Sequence, residues 1–282
     1  MTKKSKNKCI FCLESDTYFT TKEHIVPESL GNEDDILEDY VCDKCQNYFG
    51  REVESFVLCK SPIGFWRTLY GTKNKKGNHP SFDQSQQPNK KMKLANYHPV
   101  TDNGITIRPG NMDNELVVEA YVNDSRLLEN ICANKKTDIK MVLTPKILVY
   151  LGRFLGKIAL EYWCKNFTDD IYSSQFDNLR NYARYGTTNK MWPIFHWILP
   201  INLAKYYYIS HDTQERILYR YAFGAIKDTE HILFVFDIGC DRYAIIMNEK
   251  YPHPAKLFVE KISNVFGDIK TQPSILYYQN LN

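Results

Sequence analysis

Two pairs of cysteines place the strongest constraint on how this chain folds. Cys9 and Cys12 form one C-x2-C pair, Cys42 and Cys45 form a second, and 29 residues separate the two pairs. Two such knuckles supply the four thiolate ligands of a tetrahedral, structural zinc site. The separation is longer than the roughly 15–20 residues of a simple zinc ribbon, so a further element is inserted between the knuckles. Iron bound by the same cysteines, or four unrelated thiols, are the alternatives.

Eight cysteines are too few for a disulfide framework in a chain of 282 residues, and the four outside the knuckles show no paired spacing. No stretch reaches the roughly 18 apolar residues of a membrane span, and the lysine-rich start has no apolar segment behind it. We therefore expect a cytoplasmic protein that does not contact the membrane. The formal net charge of +3 is too small to indicate a nucleic-acid binder by bulk electrostatics.

Charge is distributed unevenly along the chain and predicts three parts. Residues 1–70 carry nine basic and twelve acidic side chains, a formal charge of −3. Residues 71–94 form a basic, polar linker or loop with six lysines and one aspartate. Residues 95–282 are predicted to form a larger α+β domain that senses a ligand or binds DNA, a protein partner or a second copy. Any affinity for DNA is then expected from the linker, this domain or a partner rather than from the acidic module.

Hydrophobic periodicity predicts strand, loop, strand and helix in the first part, with the helix beginning near Cys45. In the larger domain, Thr144-Pro145 predicts a helix start, and the helix runs over 146–165. A second helix is predicted over 176–185. Strands are predicted at 105–107, 116–118, 204–210, 218–226, 231–238 and 242–247, and a terminal helix at 252–266. No catalytic constellation is recognisable beyond residue 95, and His196 is interpreted as a buried core histidine.

Two stretches carry a family resemblance. The insert reads Glu-His-Ile-Val-Pro-Glu-Ser-Leu-Gly over 23–31, and the second knuckle continues as Cys-Gln-Asn-Tyr-Phe-Gly over 45–50. Together with both knuckles, these residues resemble an HNH endonuclease of the zinc-knuckle type. The resemblance covers residues 9–50, extending at most to 58, which is about a fifth of the chain. More loosely, 151–163 and 176–186 resemble the helical segment that follows this module in bacterial relatives.

The resemblance implies a ββα-metal fold that hydrolyses phosphodiester bonds of DNA with one divalent ion, magnesium or manganese. His24 would be the general base and Glu23 a ligand of the divalent ion. Asn47 would be the ligand from the helix, with Gln46 as the alternative. Asn32 is the candidate for orienting the His24 ring. Because adjacent side chains of an extended strand point in opposite directions, a bend is expected so that Glu23 and His24 reach one phosphate.

The sequence departs from the family pattern at two places, which keeps a second hypothesis open. Gln46 stands where the family has Asn or His, and no asparagine lies within Leu37-Glu38-Asp39, where the middle Asn is expected. One hypothesis is an active nuclease, for which the resemblance implies a setting in bacterial defence against phage. The other is a zinc-stabilised interaction or nucleic-acid-binding subunit whose nuclease site has decayed.

Overall fold

The fold is that of a computed structural model of the whole chain. The residues it describes are 8–70, 82–83, 105–109, 118–122, 143–186, 191–199, 219–226, 229–239, 241–248 and 274–276. The chain divides into two compact units, one made of Met1–Ser55 with Pro145–Asn282 and the other of Phe56–Thr144. This division does not coincide with the sequence-based boundaries at residues 70 and 95. The basic linker lies almost entirely outside the described residues.

The N-terminal module has the predicted strand–strand–helix order. Strand β1 (Glu23–His24) pairs antiparallel with β2 (Ile36–Leu37). A helical run follows, consisting of α1 (Asp43–Tyr48), a π-helical segment (Phe49–Glu54) and α2 (Ser55–Lys60). The fully buried side chains of this module include those of Ile10, Phe11, Ile25, Phe49 and Val53. The predicted ββα arrangement is confirmed.

The second unit contains helix α3 (Pro62–Tyr70) and a three-stranded antiparallel sheet. Its strands are β3 (Phe82–Asp83), β4 (Ile105–Pro109) and β5 (Val118–Val122). The strand predicted at 105–107 is therefore present; of the strand predicted at 116–118, Val118 lies in β5 and the other two residues lie outside the described residues. Within this unit, the Phe65 and Phe82 rings meet edge to face at 5.7 Å.

Two helices from the C-terminal part of the first unit pack closely together. Helix α4 (Pro145–Asn166) begins at the predicted proline, and α5 (Asp177–Tyr185) ends at Gly186, whose φ is +60°. A Cβ on Gly152 would lie 3.0 Å from the Tyr182 hydroxyl, and one on Gly156 would lie 2.9 Å from a Leu179 methyl. The two glycines therefore permit the close approach of the helices.

A five-stranded antiparallel sheet completes the first unit, in the order β10-β6-β9-β8-β7. Its strands are β6 (Ile194–Ile198), β7 (Tyr219–Ala225), β8 (Ile232–Ile238), β9 (Asp241–Ile246) and β10 (Ser274–Leu276). The Phe154 ring of α4 meets the Phe236 ring of β8 edge to face at 6.3 Å. The strands predicted at 218–226, 231–238 and 242–247 are present. The strand predicted at 204–210 and the helix at 252–266 lie outside the described residues.

Candidate functional site

The four knuckle cysteines converge on one point. Their sulfur atoms all lie within 4.8 Å of one another, and the Sγ atoms of Cys12 and Cys42 are 3.7 Å apart. Four thiolates at about 2.3 Å from a tetrahedral zinc stand about 3.8 Å from each other. Cys9, Cys42 and Cys45 are buried and Cys12 is partly so. The cluster therefore fits a closed structural zinc site, as predicted.

N–H groups surround the sulfurs. The backbone N–H of Cys42 donates to Cys9 Sγ at 3.4 Å, and Nε of Arg184, on α5, donates to Cys45 Sγ at 3.2 Å. Such donors stabilise the negative charge of thiolate ligands and fix their orientation. The Arg184 guanidinium also lies 3.9 Å from the centre of the Tyr48 ring. Helix α5 thus takes part in the second layer around the cysteine cluster.

Glu23 and His24 lie side by side on β1 but have different partners. The register pairs Glu23 with Leu37 and His24 with Ile36. The Glu23 carboxylate is buried, and its Oε1 lies 2.5 Å from Nζ of Lys157 on α4. The His24 ring is 22% exposed. Because side chains alternate along a strand, Glu23 and His24 are separated, and the Glu23 side chain is the one that pairs with Lys157.

The two ring nitrogens of His24 differ in their surroundings. Nδ1 is buried and has no hydrogen-bond partner among the described residues. Nε2 lies 3.8 Å from Oε2 of Glu28, which is too far for a hydrogen bond. Glu28 begins the 3-10 turn Glu28–Leu30 directly after Pro27. Nε2 is thus the nitrogen that faces polar groups, and Glu28 is a neighbour to which the sequence analysis gave no role.

Asn32 closes the loop between β1 and β2. Its amide nitrogen donates to the carbonyl oxygens of Val26 at 2.7 Å and Asp35 at 3.0 Å, and its amide oxygen accepts from the Asp35 N–H at 2.9 Å. Both amide atoms are therefore engaged by the backbone. These bonds use both amide hydrogens of Asn32 within the loop, and its role toward the His24 ring stays a prediction.

The helix candidates lie on α1. The Gln46 amide oxygen accepts a hydrogen bond from the Thr21 hydroxyl, and Asn47, one residue further on, is exposed. Asp43, at the start of the same helix, accepts from the Thr20 N–H at 2.8 Å and from the Thr20 hydroxyl at 2.7 Å. These contacts fasten the segment before β1 to the start of α1.

The side chains of β1 and α1 include the type of oxygen ligand that a hard divalent cation prefers. Glu23, Gln46 and Asn47 offer carboxylate and amide oxygens, which magnesium and manganese prefer. The ion pair with Lys157 engages one oxygen of Glu23, yet a carboxylate has about four lone-pair positions. Among the described residues, the cysteine cluster alone brings together three or more His, Cys, Asp or Glu ligand atoms.

Basic side chains of α4 and α5 reach the acidic module at several points. Lys157 binds Glu23, Lys165 binds Asp35, and Arg180 Nε donates to the carbonyl oxygen of Ile10 at 2.7 Å. Arg153 donates to the Tyr48 hydroxyl at 2.5 Å. Part of the module's negative charge is thus compensated inside the protein. These contacts could not be predicted from the sequence, whose one signal was the presence of charged residues within the apolar run of α4.

Residues 9–60 match the family model of HNH endonucleases. No curated protein and no solved structure matches the chain. Within the described part, no helix combines the length and the apolar character that crossing a bilayer requires. The match encloses both knuckles, β1, β2 and the helical run to Lys60. The resemblance is thereby confirmed, and residues 9–60 form a domain of the HNH endonuclease family.

Proposed function

We propose that this protein is a metal-dependent nuclease that hydrolyses phosphodiester bonds of DNA. The observation that supports it most directly is His24, a partly exposed histidine on the hairpin of a module that matches the HNH endonucleases. The cysteine cluster, loaded with zinc, would hold the module in shape. The wider role in defence against phage stays a prediction from the resemblance.

His24 would act as the general base through Nε2. A phosphodiester resists attack because its anionic oxygens repel hydroxide, so water must lose a proton close to the phosphorus. Imidazole, with an ordinary pKa near 6.5, accepts a proton at neutral pH. For Nε2 to accept it, the neutral ring must carry its own hydrogen on Nδ1, the buried nitrogen. The ring is partly exposed, as a base that acts on a bound substrate must be.

Glu23 would hold the divalent ion together with Asn47 or Gln46 from α1. When bound, magnesium or manganese supplies a Lewis acid that stabilises charge on the scissile phosphate. The chain's own contribution would be the oxygen ligands, and β1 would have to bend for Glu23 and His24 to act on one phosphate. Asn47 is the exposed one of the two amides, whereas the amide oxygen of Gln46 already accepts from Thr21.

Nicking of supercoiled plasmid with magnesium or manganese tests the proposal. We expect the zinc-loaded wild type to cleave and His24→Ala to lose about 10²–10⁴-fold in rate, the contribution of a general base. His231→Ala, a histidine just before β8, is the control for replacing a histidine outside the module. Equal rates in wild type and His24→Ala would remove His24 as the base.

The second candidate is a zinc-stabilised interaction subunit whose nuclease site has decayed. Two observations favour it: the ion pair that engages Glu23, and Gln46 in the position where the family has Asn or His. In this case the region 95–282 would bind a protein partner, DNA or a second copy. An inactive wild type that holds one equivalent of zinc, with either metal, would favour this candidate.

A further inference from the structure

We propose that Lys157 is a positioning residue of the nuclease site, contributed by α4 from outside the HNH segment, which fixes the strand that carries His24. This inference rests on the proposed nuclease function. It assigns part of the active-site framework to a helix more than a hundred residues further along the chain.

Lys157 binds three consecutive residues of the module. Its Nζ lies 2.5 Å from the Glu23 carboxylate, 3.2 Å from the carbonyl oxygen of His24 and 3.4 Å from that of Ile25. An ammonium group has three hydrogens to donate. Lys157 therefore contacts β1 and the residue that follows it, Ile25, through one side chain and two backbone carbonyl groups.

The ammonium group is itself held in place. Oε1 of Glu54, at the end of the π-helical segment, and Oε2 of Glu161, one turn along α4, each lie 3.0 Å from Nζ. The Lys157 side chain is completely buried. A buried cation is favourable only when anionic and polar groups surround it, and here three carboxylates lie within 3.0 Å of Nζ. A charged, rotationally restricted lysine is thus built against β1.

Strand β1 needs such support because it is very short. It contains only Glu23 and His24, and its pairing with β2 covers two residue pairs. Beyond it, the Ile25 N–H donates to the Asp35 carbonyl oxygen at 3.1 Å. A displacement of a catalytic group by about 1 Å can reduce the rate about 10²-fold. Fixing the backbone of His24 from the second side restricts displacements of this kind.

A purely structural role would be to balance buried charge, and a double variant separates the two roles. Lys157→Met leaves three carboxylates without a cation and is expected to destabilise the fold. Adding Glu161→Gln removes one of these acidic groups without touching β1. We expect Lys157→Met/Glu161→Gln to regain much of the thermal stability lost in Lys157→Met, yet to cleave plasmid about 100-fold more slowly than wild type. Recovery of wild-type cleavage together with stability would overturn the inference.

Lys165→Met is the matched control. Lys165 is also an α4 lysine bound to an acidic residue of the module, Asp35, but its side chain is 43% exposed. Its replacement is expected to change cleavage less than about 3-fold, as surface ion pairs contribute little. A loss as large as in the double variant would show that any loss of positive charge on α4 has this effect, and would contradict the inference.

Amide hydrogen exchange provides a measurement that does not depend on activity. In the zinc-loaded double variant, we expect the Ile25 amide to exchange at least about 10-fold faster than in wild type, with β8 amides unchanged. Unchanged protection of Ile25 would refute the positioning role. If wild type failed to cleave while Ile25 exchange still rose in the double variant, the proposed function would fail and the assignment of Lys157 as the anchor of β1 would stand.

Discussion

Two anchors hold the HNH module, and they are built in opposite ways. The cysteine anchor, Cys9, Cys12, Cys42 and Cys45, draws all its ligands from within the module, and their four sulfur atoms lie within 4.8 Å of one another. The lysine anchor, Lys157 with Glu23, Glu54 and Glu161, joins the module to α4. Lys157 and His24 are 133 residues apart in sequence. One anchor fixes the shape of the module, whereas the other fixes the strand that bears the candidate base.

The difference shows how the module depends on the rest of the chain. All four thiol ligands of the cysteine anchor come from the module itself, and the distant helix α5 adds only an N–H donor to one sulfur. A buried ammonium group is favourable only when carboxylates and carbonyls surround it, and those come from three separate segments. Strand β1 is therefore expected to be positioned correctly only when α4 packs against it.

Removing zinc is the largest perturbation that compares the anchors. Structural zinc contributes about 10–16 kcal/mol of apparent binding free energy in small zinc modules. We expect Cys45→Ser to lose the metal and residues 9–48 to lose amide protection, while β8 and β9 stay protected. Zinc content by mass spectrometry and hydrogen exchange measure both. Cys59→Ser, at an exposed cysteine, is the control and should keep one equivalent. Unchanged protection after zinc loss would show that α4 and α5 alone hold the module.

The cysteine anchor could be predicted from sequence and the lysine anchor could not, for a physical reason. Metal chemistry restricts the ligand type and the spacing within each knuckle, so ligands such as Cys9 and Cys45 can be predicted from the sequence without knowledge of the fold. Lys157 lies in an apolar helical run where its charge has no local explanation beyond Glu161 one turn away. Its partners Glu23 and Glu54 become visible only when α4 is placed against β1.

The contacts of Asn32 and the presence of strand β6 also could not be predicted from the sequence. Asn32 exchanges three hydrogen bonds with backbone groups of the loop, at 3.0 Å or less, and these partners become apparent only when the loop is folded. Strand β6 (Ile194–Ile198) was not predicted, since a short apolar run does not distinguish a buried strand from other buried structure. There His196 Nε2 lies 2.6 Å from Asp241 Oδ1, an ion-pair or hydrogen-bond partner supplied by β9.

A smaller perturbation tests how far the cysteine anchor depends on α5. Arg184→Met removes the N–H donor to Cys45 Sγ but keeps an apolar stem against Tyr48. We expect zinc transfer to a coloured chelator to become about 10–100-fold faster, as for other partners of metal ligands. Arg153→Met is the control, because Arg153 also contacts Tyr48 but does not donate to a sulfur. Equally faster zinc transfer in both variants would show that the effect comes from packing on Tyr48, and that the hydrogen bond from α5 to Cys45 Sγ does not stabilise the zinc site.

The smallest perturbation concerns the surplus charge of the lysine anchor. Its single ammonium faces three carboxylates; Oε2 of Glu161 lies 3.0 Å from Lys157 Nζ, and Oε1 of Glu161 has no hydrogen-bond partner among the described residues. Burial raises the pKa of Glu161 well above its usual value, even though Lys157 opposes the shift and Glu23 adds to it. A carboxyl group with a raised pKa in the folded state makes folding less favourable as pH rises above its unfolded value, near 4.3.

Glu161→Gln should therefore stabilise the protein increasingly with pH. The variant keeps Lys157 paired with Glu23 and Glu54 while it removes the group that resists ionisation. We expect its gain in unfolding free energy to be smaller at pH 5 than at pH 8, where it reaches about 1 kcal/mol. Urea unfolding at both pH values measures it, with Glu52→Gln, at a partly exposed ion pair, as the control for the residue change. A gain that does not change with pH would show that folding does not raise the pKa of Glu161. A loss of stability at pH 8 would mean that Glu161 is ionised and that Lys157 needs all three carboxylates to hold β1.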